Sequence, residues 1–172
     1  MAVDLEPGFF PLSEALFLDK GRLPARFFGA DVFQEDDPLW KDLRGSADII
    51  HASSFFHLFG LPKQQFIARL ISNLIKPVPG TLVLGLQLAA ADEAGDIPVL
   101  NENEPTYCHT PATMQALWDG AGRKSTLHEA NLAWVVELKE RAVPEGMKVG
   151  LLANPKLKEV FWAARTTRRL SS

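Results

Sequence analysis

One pattern constrains this chain more than any other: two compact apolar segments stand on either side of one amphipathic helix. Residues 48–53 and 81–88 are short apolar runs, typical of strands buried on both faces of a parallel sheet. Between them, residues 62–74 repeat apolar side chains at helical spacing, with Gln64 and Ser72 among the polar residues assigned to the opposite face. A strand, a helix and a strand in this order predict a βαβ unit.

The same alternation continues along the chain. Thr110 and Pro111 are typical of a helix start, as N-cap and first helical residue, and Gly120 and Gly122 predict where that helix ends. A surface loop is predicted at residues 89–104, strands at residues 26–32, 132–138 and 159–164, and short helices at residues 13–18 and 39–43. The sequence therefore predicts an α/β sheet with flanking helices.

Composition excludes several classes of protein. With 172 residues, of which 47% are hydrophobic, the chain is expected to form a single domain spanning residues 1–172. A net charge of −3 gives no electrostatic basis for nucleic-acid binding, and no apolar run reaches the length of a membrane span. Cys108 is the only cysteine, which excludes an intrachain disulfide and favours a reducing, cytoplasmic location.

Three sequence stretches together resemble one family. They are residues 4–10 (Asp-Leu-Glu-Pro-Gly-Phe-Phe), residues 30–33 (Ala-Asp-Val-Phe) and residues 48–59, supported by residues 77–88 and 107–118. With them the chain resembles the class I S-adenosylmethionine (SAM) methyltransferases of fungal secondary metabolism. The resemblance implies a Rossmann-like fold and a small hydrophobic substrate, because members of the family methylate acids and hydroxyls derived from polyketides or terpenoids.

The resemblance also implies where SAM is bound in such an enzyme. Asp4 matches the acid that ends the family's second strand and binds the ribose hydroxyls, and Asp31 matches an Asp beside the adenine. Residues 51–59 follow the fourth strand, where cofactor and acceptor meet. A crevice beyond the carboxyl ends of parallel strands is where such sheets bind ligands.

The chain departs from the family pattern at its start. Family members have about a hundred residues before the position of Met1, with the central first strand and a glycine-rich loop that lets the backbone approach SAM. The expectation is therefore a truncated Rossmann-like sheet whose central strand is missing. A rearranged sheet, a homodimer or partner protein covering the open sheet edge, and an incomplete sequence all remain open.

Several side chains are candidates for acid/base chemistry or for a substrate pocket. His57, His51, Tyr107 and Asp31 are the candidate catalytic residues, since histidine titrates close to neutral pH. The candidate pocket residues are Phe55, Phe56, Phe59 and His109. The alternative roles are core packing for the phenylalanines and a helix-capping loop for residues 107–109. Spacing of His, Asp and Glu predicts no metal site.

Three functions compete at this point. The first is an enzyme that has lost SAM and needs no cofactor, and that isomerises or cyclises a natural-product intermediate through pocket shape and acid/base groups. The second is a SAM-dependent O-methyltransferase completed by oligomerisation. The third is a non-catalytic subunit that pairs with a full-length methyltransferase. The first is the leading expectation, with no cofactor as its consequence.

Overall fold

The computed structural model describes residues 1–22, 24–97, 105–142 and 153–169. These form two compact units, Met1–Asp42 and Leu43–Ser172. Strands and helices alternate through most of both units, which confirms the α/β class. No helix in the described residues is long and apolar enough to cross a membrane.

The first unit is a small parallel β-α-β arrangement. Strand β1 (Ala2–Asp4) pairs in parallel with β2 (Phe27–Gly29), and α1 (Phe9–Phe17) lies between them in the chain. Helix α1 starts earlier than the predicted 13–18, because the proline at position 11 falls in the first helical turn, where it costs no hydrogen bond. Helix α2 (Pro38–Asp42) closes the unit as predicted.

The second unit is built on a four-stranded sheet. Its strand order is β3 (Ile49–His51), β4 (Leu82–Ala90), β8 (Leu157–Arg168) and β7 (Leu132–Glu140). Strands β3 and β4 are parallel and joined through α3 (Leu61–Leu74), which confirms the predicted βαβ unit. The other two pairings are antiparallel.

Helix α4 (Pro111–Arg123) brings an aromatic core onto this sheet. The Trp118 ring centroid lies 5.0 Å from that of Trp134 on β7 and 5.6 Å from that of Trp162 on β8. Phe56 completes the cluster, 5.8 Å from Trp118. All four side chains are buried. This packing fixes α4 and the turn at Phe56 against the sheet.

Two short strands and a short α-helix are among the elements that were not predicted from the sequence. Strand β5 (Gly95–Ile97) pairs with β6 (Thr106–Cys108), and α5 (Thr126–Glu129) follows α4. Strand β5 falls in the predicted surface loop, whose residues 98–104 lie outside the described ranges. Strands of three residues carry little periodic signal, so pattern alone does not reveal them.

Two predictions about local structure were wrong. Strand β3 is not buried on both faces, because it is an edge strand whose Ile49 is 64% exposed. Helix α4 does not stop at Gly120 or Gly122 but continues to Arg123. Gly122 has a packing role instead: a Cβ there would lie 3.0 Å from Cδ1 of Trp134. The predicted start is confirmed, since the Thr110 side chain accepts a hydrogen bond from the Thr113 amide.

Candidate functional site

Asp4 ends one of two neighbouring parallel strands in the first unit, and Asp31 lies two residues beyond the end of the other. Asp4 is the last residue of β1, and the amide of Ala30 donates to the Asp4 carbonyl at 3.0 Å. Asp31 is the next residue after Ala30, so both carboxylates lie at the carboxyl end of this parallel pair of strands. Oδ1 of Asp4 accepts from the Glu6 amide at 2.8 Å, and Oδ1 of Asp31 accepts from the Phe33 amide at 2.9 Å. Each turn uses one oxygen of the carboxylate.

His51 ends β3 and forms a hydrogen-bonded pair with a serine. Oγ of Ser53 lies 2.7 Å from Nε2 of the exposed His51 ring, and the Leu86 amide donates to the same Oγ at 3.1 Å. With the ring neutral and Nε2 unprotonated, the serine hydroxyl donates its proton to the histidine. Ser53 thereby holds the imidazole at the carboxyl end of β3.

The backbone after β3 is held in an uncommon conformation. Ser54 has a φ of 52°, in the left-handed region that non-glycine residues seldom adopt, and its amide donates to the Leu86 carbonyl at 2.7 Å. Gly85 makes this path possible, because a Cβ there would collide with the carbonyl oxygen of Ala52. Strain of this kind is concentrated at ligand and catalytic sites.

The three phenylalanines of the loop divide into different environments. Phe56 is fully buried between Trp118 and Trp162, so its prediction as a pocket residue is corrected: packing makes it part of the core. Phe55 and Phe59 are half-buried and meet edge to face with ring centroids 5.4 Å apart. These two rings supply apolar surface beside the polar groups of the loop.

His57 lies in the same loop and is half-buried. Burial lowers the pKa of His57, with the nearby charge of Glu159 acting in the opposite direction. Its Nδ1 atom is buried and has no hydrogen-bond partner among the described residues. The lowered pKa keeps the ring neutral at pH 7, and because Nδ1 is enclosed, a substrate proton would have to reach Nε2.

A buried network that sequence reasoning missed fixes the end of this loop. Gln64 was assigned to the polar face of α3 but is fully buried. Its Nε2 donates to the carbonyls of Phe59 and Tyr107, each at 2.8 Å, and its Oε1 lies 3.0 Å from Nε2 of His109. Ser72 was assigned to the same polar face and is also buried, bonded to Trp134. Periodicity cannot distinguish a solvated polar residue from one paired inside the protein.

Tyr107 and His109 are placed by this network. The Tyr107 ring lies 4.9 Å from that of His109, and both line a groove between α3 and α4. His109 is 1% exposed, and its Nδ1 lies 3.1 Å from Oγ1 of Thr113. Burial lowers the pKa of His109 to about 4, against an opposing contribution from Thr113. Because both ring nitrogens of His109 lie within hydrogen-bond distance of a partner, the side chain helps to hold this network together.

The remaining polar groups do not form a metal centre. Among the described residues, no three His, Cys, Asp or Glu side chains are grouped so that they could hold a metal ion. Cys108 is buried, and its burial raises the thiol pKa to about 11. His51 therefore ends β3 and Phe55, His57 and Phe59 lie in the loop that follows it, while Asp4 and Asp31 lie at the carboxyl ends of β1 and β2 in the other unit.

No protein-family model matches the chain, whereas individual proteins do. O-methyltransferase phiE of Fungal sp. (strain ATCC 74256) is 31% identical over 98% of this chain and 55% of its own length. The chain is similar in sequence to methyltransferases of fungal secondary metabolism. Methyltransferase prhM of Penicillium brasilianum is 28% identical over 76% of the chain and 47% of that protein. O-methyltransferase atr3 of Stereocaulon alpinum is 28% identical over 97% of the chain and 43% of that protein. The chain spans about half the length of these relatives.

Solved structures show the same fold. The Burkholderia thailandensis 1,6-didemethyltoxoflavin-N1-methyltransferase with bound S-adenosylhomocysteine (SAH) superimposes with a TM-score of 0.57 at 16% identity, over 96% of this chain and 60% of that one. The [4+2]-cyclase SpnF superimposes with a TM-score of 0.53 at 10% identity, over 97% of this chain and 66% of the SpnF chain. At these identities the likeness shows the fold, a Rossmann-like methyltransferase sheet.

The expectation that no cofactor is needed is wrong. The relatives by sequence are named methyltransferases, and two of the structural neighbours, the toxoflavin enzyme and the trans-methyltransferase CalH, were solved with SAH. Both findings indicate SAM as the cofactor of the family. The 172 residues contain no glycine-rich run, and this had favoured a reaction without a cofactor. That observation concerns these residues alone.

Proposed function

We propose that this methyltransferase transfers a methyl group from SAM to a hydroxyl or carboxyl oxygen of a small hydrophobic natural-product intermediate. The observation that carries the proposal is the position of Asp4 and Asp31 at the carboxyl ends of adjacent parallel strands. The relatives named O-methyltransferase support the same reaction over nearly the whole chain.

The residues of the first unit fit part of the cofactor. Asp4 and Asp31 each use one carboxylate oxygen in a local turn, which leaves acceptor capacity for ribose hydroxyls at Asp4 and for the adenosine at Asp31. Neither side chain is fully buried, so a ligand can reach them. When bound, SAM supplies an electrophilic methyl group.

The loop after β3 supplies the proton acceptor in this proposal. A hydroxyl becomes a better nucleophile when a base removes its proton, and neutral His57 can take that proton. His51, whose Nε2 is paired with Ser53, is the last residue of the strand that precedes this loop. Phe55 and Phe59 provide apolar surface for the acceptor and exclude water around it.

Calorimetric titration of the full chain with SAH tests cofactor binding. Asp4→Asn keeps the oxygen that the Glu6 amide needs but replaces the other with a group that cannot accept a hydrogen bond. We expect this variant and Asp31→Asn to weaken SAH binding at least about tenfold, the loss of one charge-assisted hydrogen bond. Asp36→Asn is the matched control, an exposed acid of the same unit. Absence of SAH binding to the unmodified chain would contradict the proposal.

The proton acceptor is tested by SAH formation with two probes, the phenol 4-methylumbelliferone and the acid salicylate. We expect His57→Gln to lower the rate with the phenol about a hundredfold or more, the usual contribution of general base catalysis. The carboxylate of salicylate is already ionised, so the same variant should change the rate of methyl ester formation little. His128→Gln, on α5 and paired with Arg169, is the control. Equal loss with both probes would argue against a base role for His57.

We also propose that a second copy of the chain pairs with the open edge of β3. Among the described strands, β3 bonds only to β4, and Ile49 is 64% exposed. Exposed apolar edge strands favour pairing with another chain. Native mass spectrometry should show a dimer that Ile49→Lys disrupts, while Val78→Lys, at an exposed turn residue, does not. A monomer at every concentration would contradict this part.

A further inference from the structure

A groove of about 550 Å³ runs between α3 and α4, on the second unit. The two helices run in the same direction. Gln64 in the first turn of α3 lies 3.0 Å from His109, just before α4, and Trp134 contacts residues near the end of both helices. Their first turns therefore lie at one end of the groove, beside Tyr107 and His109. The last turn of α4 lies at the other end. This volume is in the range of sites for small organic ligands.

The charges along this groove have one sign. Arg69, Arg123 and Lys124 line it, and no acidic side chain does. The whole chain has a net charge of −3, so the positive charge along the groove is opposite in sign to the net charge of the chain. Arg123 and Lys124 form no ion pair with a residue that the structure describes. The C-terminus of α4 favours cations such as Arg123 near it, and Arg69 adds a positive charge from the middle of α3.

The rest of the groove offers apolar surface. Phe66 lies along it, with the Arg69 guanidinium 5.3 Å from the ring centroid, and Leu117 and Ala121 come from α4. We propose that this groove is a second binding site, for an amphipathic monocarboxylate. The apolar body would lie along Phe66, and the carboxylate would pair with Arg123 and Lys124. None of the residues that line this groove belongs to residues 52–59 of the loop after β3.

Glycine at position 120 allows a sharp test. Gly120 lines the groove within α4, and a Cβ there meets no atom within 4 Å. Gly120→Leu therefore fills the groove without a clash at Cβ, and leucine has a higher helix propensity than glycine. Gly120→Ala is the matched control, since it makes the same backbone change but leaves most of the volume free.

The experiment measures binding of decanoate, decyltrimethylammonium and decanol to the full chain by calorimetry. We expect decanoate to bind with the highest affinity, Gly120→Leu to abolish binding, and Gly120→Ala to retain it. Arg123→Gln combined with Lys124→Gln should raise the Kd for decanoate at least about tenfold. Lys139→Gln combined with Lys156→Gln, two exposed lysines outside the groove, should not.

Several results would overturn the proposal. These are no binding of decanoate, equal affinity for the cationic probe, or binding that persists unchanged in Gly120→Leu. Saturation by an acidic peptide but not by decanoate would assign the groove to a protein partner and also overturn it. Circular dichroism and SAH titration of each variant check folding, because a folded variant should keep its SAH affinity.

Discussion

Gln64 and His109 fix one another in a single orientation inside the second unit. Both hydrogens of the Gln64 amide are donated, to the carbonyls of Phe59 and Tyr107, so its Oε1 must face His109. That oxygen needs a donor, which makes Nε2 of His109 the protonated nitrogen of the neutral ring. Nδ1 is then the acceptor for the Thr113 hydroxyl. One side chain therefore joins α3, β6 and the end of the loop after β3.

Gln64→Ala should destabilise the protein by about 1–3 kcal/mol, because the Tyr107 carbonyl and the His109 imidazole N–H lose their Gln64 partner and the Phe59 carbonyl keeps only the Tyr107 amide. Urea unfolding followed by circular dichroism measures the change. Gln65→Ala is the control, since Gln65 is exposed on the next position of α3 and should change stability little. Equal stability of the two variants would show that water replaces the network.

Folding stability should fall as the solution is acidified from about pH 6.5 to about pH 4. The pKa of His109 is about 4 in the folded protein, against 6.5 for an ordinary histidine, because burial disfavours the charged ring. Between these values the unfolded chain binds a proton that the folded chain does not. Stability is therefore complete above pH 6.5 and decreases below it, by about 3 kcal/mol at pH 4 for this residue. The lowered pKa of His57 acts in the same direction.

Replacement of His109 separates its contribution to the pH dependence of folding stability from the contribution of the carboxylates. His109→Gln removes the titrating ring and keeps a side chain that can hydrogen-bond, so the loss of stability between pH 6.5 and pH 4 should be smaller than in the unmodified protein. Urea unfolding at several pH values measures both slopes. Identical slopes would mean that His109 titrates normally in the folded state.

Short-range sequence patterns predicted local structure well. The candidate site depends in addition on contacts between residues that are far apart in the sequence, and short-range patterns do not reveal these. The cap at Thr110 was predictable, because its partner Thr113 is three residues away. The acids at the ends of β1 and β2 followed from the family motifs. Burial of Gln64 was not predictable, since it depends on Tyr107 and His109, more than forty residues away.

Gly85→Ala should destabilise the second unit more than an ordinary substitution in a strand. The new methyl group would meet the carbonyl oxygen of Ala52 and lie 2.9 Å from Nε1 of Trp162. The first contact is with backbone, so it cannot be relieved by rotating a side chain, and we expect a loss of about 1–3 kcal/mol or more. Gly95→Ala is the control, because a Cβ there meets no atom within 4 Å. Thermal unfolding of both variants, with SAH titration, would detect displacement of the loop after β3.

Cys108 should resist alkylation in the folded protein. The thiolate is the reactive species, and burial raises the thiol pKa to about 11, while the side chain has no exposed surface among Leu88, Ala90 and Leu157. Iodoacetamide at pH 8 should therefore leave the native chain unmodified and add one group in urea. Intact mass gives an unambiguous readout, since the chain has one cysteine. Equal labelling rates with and without urea would contradict the buried position of β6. In partial urea, the labelling rate should follow the fraction of chain unfolded, which makes this thiol a reporter of the opening of β6.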